Sequence, residues 1–293
     1  MEIMNFDSDS VHPKILEISS ADDSRTERQE RLSGWNQEKI ENAVILVVGA
    51  GALGNEICKN LALIGIGKIV LVDFDDIVLS NLNRCIFFRG CDIKEKCLKV
   101  NVVEREISKI NPETALIPVA ESVENLGSET YEKIDVAMGA VDNDAARLEL
   151  NYKCFQSGIP LIDGGIHGFR GNVKVVFPPY SPCLACNLTP LDYAAINKKD
   201  PCTGEDVETH DPKLPGIATT SSVISALQVQ EALKIIQGID EFRSEGHWNE
   251  EIGIPILGKV LYFNGTSNYM NIYEIKRDPD CPVCSSHDVD YLT

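Results

Sequence analysis

Ala43-Val44-Ile45-Leu46-Val47-Val48, running straight into Gly49-Ala50-Gly51-Ala52-Leu53-Gly54, is the stretch that decides the fold. A short apolar run rich in β-branched residues reads as a strand buried on both faces. Gly49 permits the tight turn behind it, Gly51 lets a ligand approach the backbone, and Gly54 lets the following helix pack on the strand. That helix is expected over about 53–64, and its N-terminus offers free N–H groups and the positive end of the dipole, where an anion belongs. The next apolar run, Lys68-Ile69-Val70-Leu71-Val72, ends at Asp73, about 20 residues past the glycines, where a carboxylate can accept ribose hydroxyls. In this order the pieces make a βαβ nucleotide unit; a tight turn without a ligand is the plainer alternative.

The glycine loop and first acid alone suggest a nicotinamide dehydrogenase. The residues behind them, Asp73-Phe74-Asp75 and then Ser80-Asn81-Leu82-Asn83-Arg84, supply an amide and a cation of the kind a triphosphate needs, although solvated loop residues would look the same in isolation. Further on, Ile134-Asp135-Val136-Ala137-Met138-Gly139-Ala140-Val141 is a strand-like run that delivers Asp142. A carboxylate at the C-terminal end of a parallel strand lies in the crevice where ligands bind. Asp142 or Asn143 also precedes a helical pattern, so an N-cap is the competing reading.

With these pieces in place the sequence resembles the E1-like activating enzymes of the ThiF/MoeB/HesA family. The matching segments are the glycine loop, Asp73-Phe74-Asp75, Ser80-Asn81-Leu82-Asn83-Arg84, Ile110-Asn111-Pro112, Asp142-Asn143 with Arg147, two Cys-x-x-Cys pairs, and Gly258-Lys259-Val260-Leu261-Tyr262-Phe263. The resemblance implies an α/β fold: a Rossmann-like, mostly parallel sheet with an antiparallel extension and a structural four-cysteine zinc site. It implies ATP-dependent adenylation of the C-terminal carboxylate of a ubiquitin-like modifier or sulfur-carrier protein ending in Gly-Gly. By the same resemblance Gly49, Gly51, Ala52, Gly54, Asp75 and Asn143 belong to the ATP site. Asp73 holds the ribose, Asn81 orients the phosphate region, Arg84 and a lysine bind phosphates, and Asp142 holds Mg²⁺. The lysine falls at Lys99 counting back from Ile110-Asn111-Pro112 and nearer Lys96 counting forward from Phe88-Arg89; Lys99 is favoured. Arg28-Gln29 resembles the motif that relatives extend into a partner subunit's ATP site, with Thr26 where a tyrosine is usual; Arg25, Arg28 and Arg31 also read as a solvated helix face. A homodimer is implied, with the helix over 219–237 contributing to it.

Ten cysteines in a chain without a secretory signal read as thiols and metal ligands, not as a disulfide framework. Cys183-Leu184-Ala185-Cys186 and Cys281-Pro282-Val283-Cys284 are two knuckles whose spacing lets both sulfurs of each reach one tetrahedral Zn²⁺; together, with the family resemblance, they make a four-cysteine site, with redox pairing as the competing reading. Cys58, Cys97 and Cys154 fall in helical patterns and read as small buried hydrophobes. Cys202 lies in the crossover segment 187–215, where relatives carry a nucleophilic cysteine that takes the activated carboxylate as a thioester. Its neighbours Asp200, Glu205 and Asp206 tend to raise a thiol's pKa, and an inert loop thiol is the other reading.

The chain has 293 residues and 45 acidic against 27 basic side chains, a net charge of −18. Such a surface opposes sequence-independent nucleic-acid binding. No apolar run is long enough to span a bilayer and no basic-then-apolar signal opens the chain, so no membrane partner and a cytoplasmic location are expected. Residues 1–23 read as a flexible acidic tail and 24–293 as the adenylation domain. Thr219 begins a helical pattern that Gly238 is expected to end as C-cap; 241–254 reads as acidic and irregular, and a hairpin around Gly265 follows. Two other functions compete: a noncatalytic E1-like scaffold subunit of a heterodimeric activating enzyme, which has no need of Arg84, Asp142 and a phosphate lysine, and an NAD enzyme, which has no use for Asn81 and Arg84.

Overall fold

The computed structural model describes residues 24–189, 192 and 215–285. Among these, eight strands form one sheet in the order β3-β2-β1-β4-β5-β6-β7-β8. The first five, β1 (Val44–Val48), β2 (Lys68–Val72), β3 (Ala115–Val119), β4 (Val136–Gly139) and β5 (Leu161–His167), run parallel. The remaining three, β6 (Arg170–Val176), β7 (Lys259–Asn264) and β8 (Tyr269–Glu274), continue the sheet antiparallel. The parallel sheet with an antiparallel extension is therefore the one the sequence implies. The strand order reverses between β1 and β4, and the crevice beyond their C-terminal ends is where this architecture binds ligands.

Among the described residues eight helices clothe the sheet: α1 (Glu27–Glu30), α2 (Gln37–Asn42), α3 (Ala52–Ile64), α4 (Gly90–Lys94), α5 (Lys99–Ile110), α6 (Ser128–Tyr131), α7 (Asp144–Ser157) and α8 (Ala218–Glu245). Side chains alternate across a strand, so β1 feeds both layers. Ile45 and Val47 pack with Ile57, Leu61, Val103 and Ile235 on one face, and Leu46 and Val48 with Leu150 and Phe155 on the other. No helix among the described residues is long and apolar enough to cross a membrane.

Three local expectations are corrected. Gly238 does not end its helix: α8 runs on to Glu245, and the left-handed C-cap is Gly246, with φ of 80°. Gly238 is buried inside the helix because a Cβ there would lie 3.0 Å from Cε3 of Trp248, so the residue serves close packing. Residues 241–245, read as irregular, form the last turn. Cys97 is not helical but half-buried in the turn before α5, whereas Cys58 and Cys154 are buried in α3 and α7.

Candidate active site

The glycine loop closes by contacts that only glycine allows. Gly49 takes φ of 101°, and a Cβ there would sit 2.5 Å from the Ala140 carbonyl oxygen. A Cβ on Gly54 would sit 1.9 Å from the Gly49 oxygen, whereas one on Gly51 meets nothing within 4 Å. Gly54 is thus a packing requirement and Gly51 an opening onto the crevice. Gly54→Ala is expected to destabilise the protein by on the order of 3 kcal/mol, an overpacking cost. Gly51→Ala should stay within roughly 0.5 kcal/mol but weaken nucleotide binding. Denaturant midpoints and ATP titrations of the two variants check the contrast.

Asp73, at the end of β2, anchors the loop. Its Oδ2 accepts the Ala50 amide at 2.7 Å and its Oδ1 the Asp75 amide at 2.9 Å. Lys99, the first residue of α5, lies across from it, with Nζ 2.5 Å from Asp75 Oδ2 and 3.6 Å from Asp73 Oδ1. Burial pushes the Lys99 ammonium toward neutrality, but Asp73, Asp75 and Asp142 together outweigh it and hold the lysine charged, above its ordinary value. For Asp73 the balance tips the other way. Burial raises its pKa and exceeds the opposing pull of Lys99 and the two amides. The two shifts are not contradictory, because Lys99 answers to three acids and Asp73 to one lysine. Of the two lysine candidates, Lys99 is the one at the acid cluster; Lys96 is exposed in a turn at φ of 52°.

Asn81 and Arg84 lie on the segment between β2 and α4. Asn81 is buried, and its Oδ1 accepts the Val78 amide at 2.9 Å, fixing the turn. The Arg84 guanidinium donates to the Ser80 carbonyl and to Asn83 Oδ1 at 3.1 Å. Arg84, Lys99 and Asp73 all act electrostatically on the thiol of Cys85. Burial pushes that thiol up to about 11 despite the two cations, so Cys85 is not a thiolate near neutrality. A Cβ on Gly216, just before α8, would lie 3.5 Å from Arg84 Cδ, and the Pro215 carbonyl accepts the Gly168 amide at 2.7 Å. The end of the crossover is thereby seated against the Arg84 side chain.

Asp142 follows β4 and is exposed, close enough to Lys99 to raise its pKa. Asn143 is the N-cap of α7, its Oδ1 accepting the Ala146 amide at 2.7 Å. The cap thus belongs to Asn143 and not to Asp142. Arg147 braces the segment, donating to Val141 O at 3.0 Å, Asp144 at 2.6 Å and Asp163 at 3.0 Å. Asp163 holds the guanidinium charged, above its ordinary value, against the opposing effect of burial.

Arg28 is not brought to this crevice. The neighbouring Gln29 bonds the Ile64 carbonyl at 2.6 Å, at the far end of α3 from the glycine loop. Thirteen residues of helix separate the two ends, roughly 20 Å at 1.5 Å per residue. Cys202 lies outside the described residues, as does the crossover apart from 187–189, 192 and 215.

The four cysteines of the two knuckles meet. Cys183, Cys186, Cys281 and Cys284 are buried with their sulfurs all within 4.8 Å of one another. Cys183 and Cys281 sulfurs are 3.5 Å apart, Cys186 and Cys284 3.3 Å. Those separations exceed a disulfide bond of about 2 Å and suit four thiolates about 2.3 Å from a shared tetrahedral ion. The donor set therefore fits a structural metal and ties residues near 281 to the middle of the chain.

Fold and site together define an α/β nucleotide-binding enzyme with a cationic, acid-lined crevice at the switch point of its sheet. The chain belongs to the ThiF family, whose model matches residues 24–283. It is 28% identical over 256 residues to the sulfur carrier protein ThiS adenylyltransferase of Escherichia coli (strain K12), covering 87% of this chain and 90% of that protein. It is 27% identical to the molybdopterin-synthase adenylyltransferase of the same organism, covering 92% and 99%. With the SAMP-activating enzyme E1 of Haloferax volcanii it shares 30% identity over 87% of each chain. Among solved structures, E. coli MccB with ATP superposes with a TM-score of 0.70 at 23% identity, covering 90% of this chain and 75% of that one, a likeness of fold. The chain is an enzyme of the adenylyltransferase and activating-enzyme type.

Sequence reasoning missed one residue that joins the parts of this site. Asn55, in the first turn of α3, is fully buried and bonded to both the glycine loop and the Arg84 segment. Its only sequence signal is a carboxamide on a helix face otherwise lined by Cys58, Leu61 and Ala62.

Proposed function

We propose that this chain adenylates the C-terminal carboxylate of a ubiquitin-like or sulfur-carrier protein ending in Gly-Gly, using ATP and releasing pyrophosphate. The setting of Lys99 against Asp73, which holds the glycine loop, with Arg84 on the turn that Asn55 ties to the same loop, carries this reading. A carboxylate must attack the α-phosphorus of a polyanion, and each like-charge pair at about 4 Å costs on the order of 4 kcal/mol at an effective dielectric near 20. Arg84 and Lys99 offset that repulsion and stabilise the charge that builds on the leaving pyrophosphate. Asp73 receives the ribose hydroxyls. Asn81, whose Oδ1 is used internally, would serve the phosphates through its Nδ2 donor. Amides at the start of α3, together with its dipole, receive the phosphate chain.

Asp142 is the residue that would hold Mg²⁺, which supplies positive charge to the phosphates when bound. Zn²⁺ is the ion for the four buried cysteines, because four thiolates fill a tetrahedral site and leave no open position. Arg28, remote from its own crevice, serves a partner's in a homodimer. Cys202 receives the acyl group as a thioester, its thiolate displacing AMP from the acyl-adenylate.

ATP–pyrophosphate exchange tests the adenylation. Exchange should appear when a protein ending in Gly-Gly is added and be absent without it; no exchange with any such protein would favour the noncatalytic scaffold. Cys202→Ser should retain exchange and lose a reducible conjugate with the carrier. A conjugate that persists would remove Cys202 from the reaction.

A further inference from the structure

Two of the segments that form the crevice are joined by one side chain. Asn55 Nδ2 donates to the Ala50 carbonyl at 2.8 Å and the Gly51 carbonyl at 3.0 Å, while its Oδ1 accepts the Phe87 amide at 3.1 Å. Phe87 belongs to the compact turn that carries Arg84. In that turn the Arg84 and Cys85 amides donate to the Asn81 carbonyl at 3.1 and 3.0 Å, and the Phe88 amide to the Cys85 carbonyl at 3.4 Å. Asn55 is 0% exposed; its bonds to Ala50 and Phe87 are made away from water, and the one to Gly51 is partly buried.

The direction of the bonds matters. In a trans peptide the carbonyl and the following N–H point in opposite directions. Drawing the Ala50 and Gly51 carbonyls inward onto Asn55 turns the Gly51 and Ala52 N–H groups outward. Space for a ligand is present at this loop, since a Cβ on Gly51 would meet nothing within 4 Å. The other arm of the same carboxamide fixes the turn that holds Arg84.

We propose that Asn55 is a positioning residue for the triphosphate, holding the glycine loop's outward amides and the Arg84 cation in one fixed relation so that both reach the same phosphate chain. The inference rests on the ATP reading above. Its chemistry demands a carboxamide: one arm must donate to two carbonyls and the other must accept an amide. Aspartate is the same shape but offers those carbonyls no donor, and leucine offers neither arm. An apolar residue would fill this helix face without the desolvation cost of a polar one, a cost that only complete hydrogen bonding offsets.

Asn55→Asp and Asn55→Ser test the proposal through KM and kcat in ATP–pyrophosphate exchange and through equilibrium binding of ATP and of adenosine. ATP affinity should fall about tenfold or more, as expected for lost buried hydrogen bonds, with adenosine binding held within roughly twofold. Folded variants that bind ATP normally, or lose ATP and adenosine in parallel, would overturn the proposal. Wild-type protein that binds no ATP would refute the nucleotide reading and this inference with it, whereas normal ATP binding by both variants refutes this inference alone. If neither variant folds, hydrogen exchange on the wild-type protein decides: the Phe87 amide should be protected by about 10²-fold or more, and unprotected exchange would overturn the role.

Discussion

Replacing Asp142 with alanine is expected to lower ATP–pyrophosphate exchange by roughly 10²–10³-fold, the range seen when one preorganised electrostatic partner of a transition state is removed. Stability should barely change. Asn143 caps α7, so the helix keeps its cap, and Asp142 is exposed, so its loss opens no cavity. Its charge helps to hold Lys99 protonated. Removing it takes away a negative charge that the proposal assigns to Mg²⁺, and the apparent Mg²⁺ requirement should rise along with the loss of rate. Exchange kinetics across a Mg²⁺ titration, with thermal unfolding as the control, check the prediction. Unchanged exchange would take Asp142 out of the site.

The second large effect belongs to the cysteines. Cys281→Ser should destabilise the protein by more than about 4 kcal/mol, a size reserved for losses such as a bound metal. The four sulfurs are buried and gathered from segments 98 residues apart in sequence. Without an ion, thiolates in that cluster would be like charges out of water. With one, binding free energy becomes folding free energy. Zinc content and thermal midpoint should fall together, and a strong chelator should reproduce the variant's instability. Purified protein that carries no metal and unfolds identically with and without chelator would contradict a metal site.

The parts of this molecule legible in its sequence are those whose causes are local. Apolar runs entering Gly49 and ending at Asp73 specify a βαβ unit because strand burial, the tight turn and helix packing each leave a mark on neighbouring residues. The four cysteines were legible because metal geometry fixes spacing within each knuckle. Lys99 over Lys96 was a choice of counting that the ion pair with Asp75 places at the acid cluster. Gly238 shows the limit. In sequence it looks like a helix terminator, and only Trp248, which packs against it, explains a glycine inside α8. Asn55 was invisible for a related reason: its acceptor arm serves Phe87, 32 residues away, and no local pattern announces such a bond. The division between Asp142 and Asn143 was also undecidable from sequence, since either can cap a helix; the bond from the Ala146 amide assigns the cap to Asn143.

The most direct test of the central claim is the mass of a Gly-Gly-terminated carrier protein after incubation with this chain, ATP and Mg²⁺. The expected product is a carrier heavier by one adenylyl group, formed only with the enzyme present and lost on treatment with hydroxylamine, which cleaves an acyl-phosphate anhydride. A carrier of unchanged mass under conditions where the chain binds nicotinamide dinucleotide in place of ATP would contradict it.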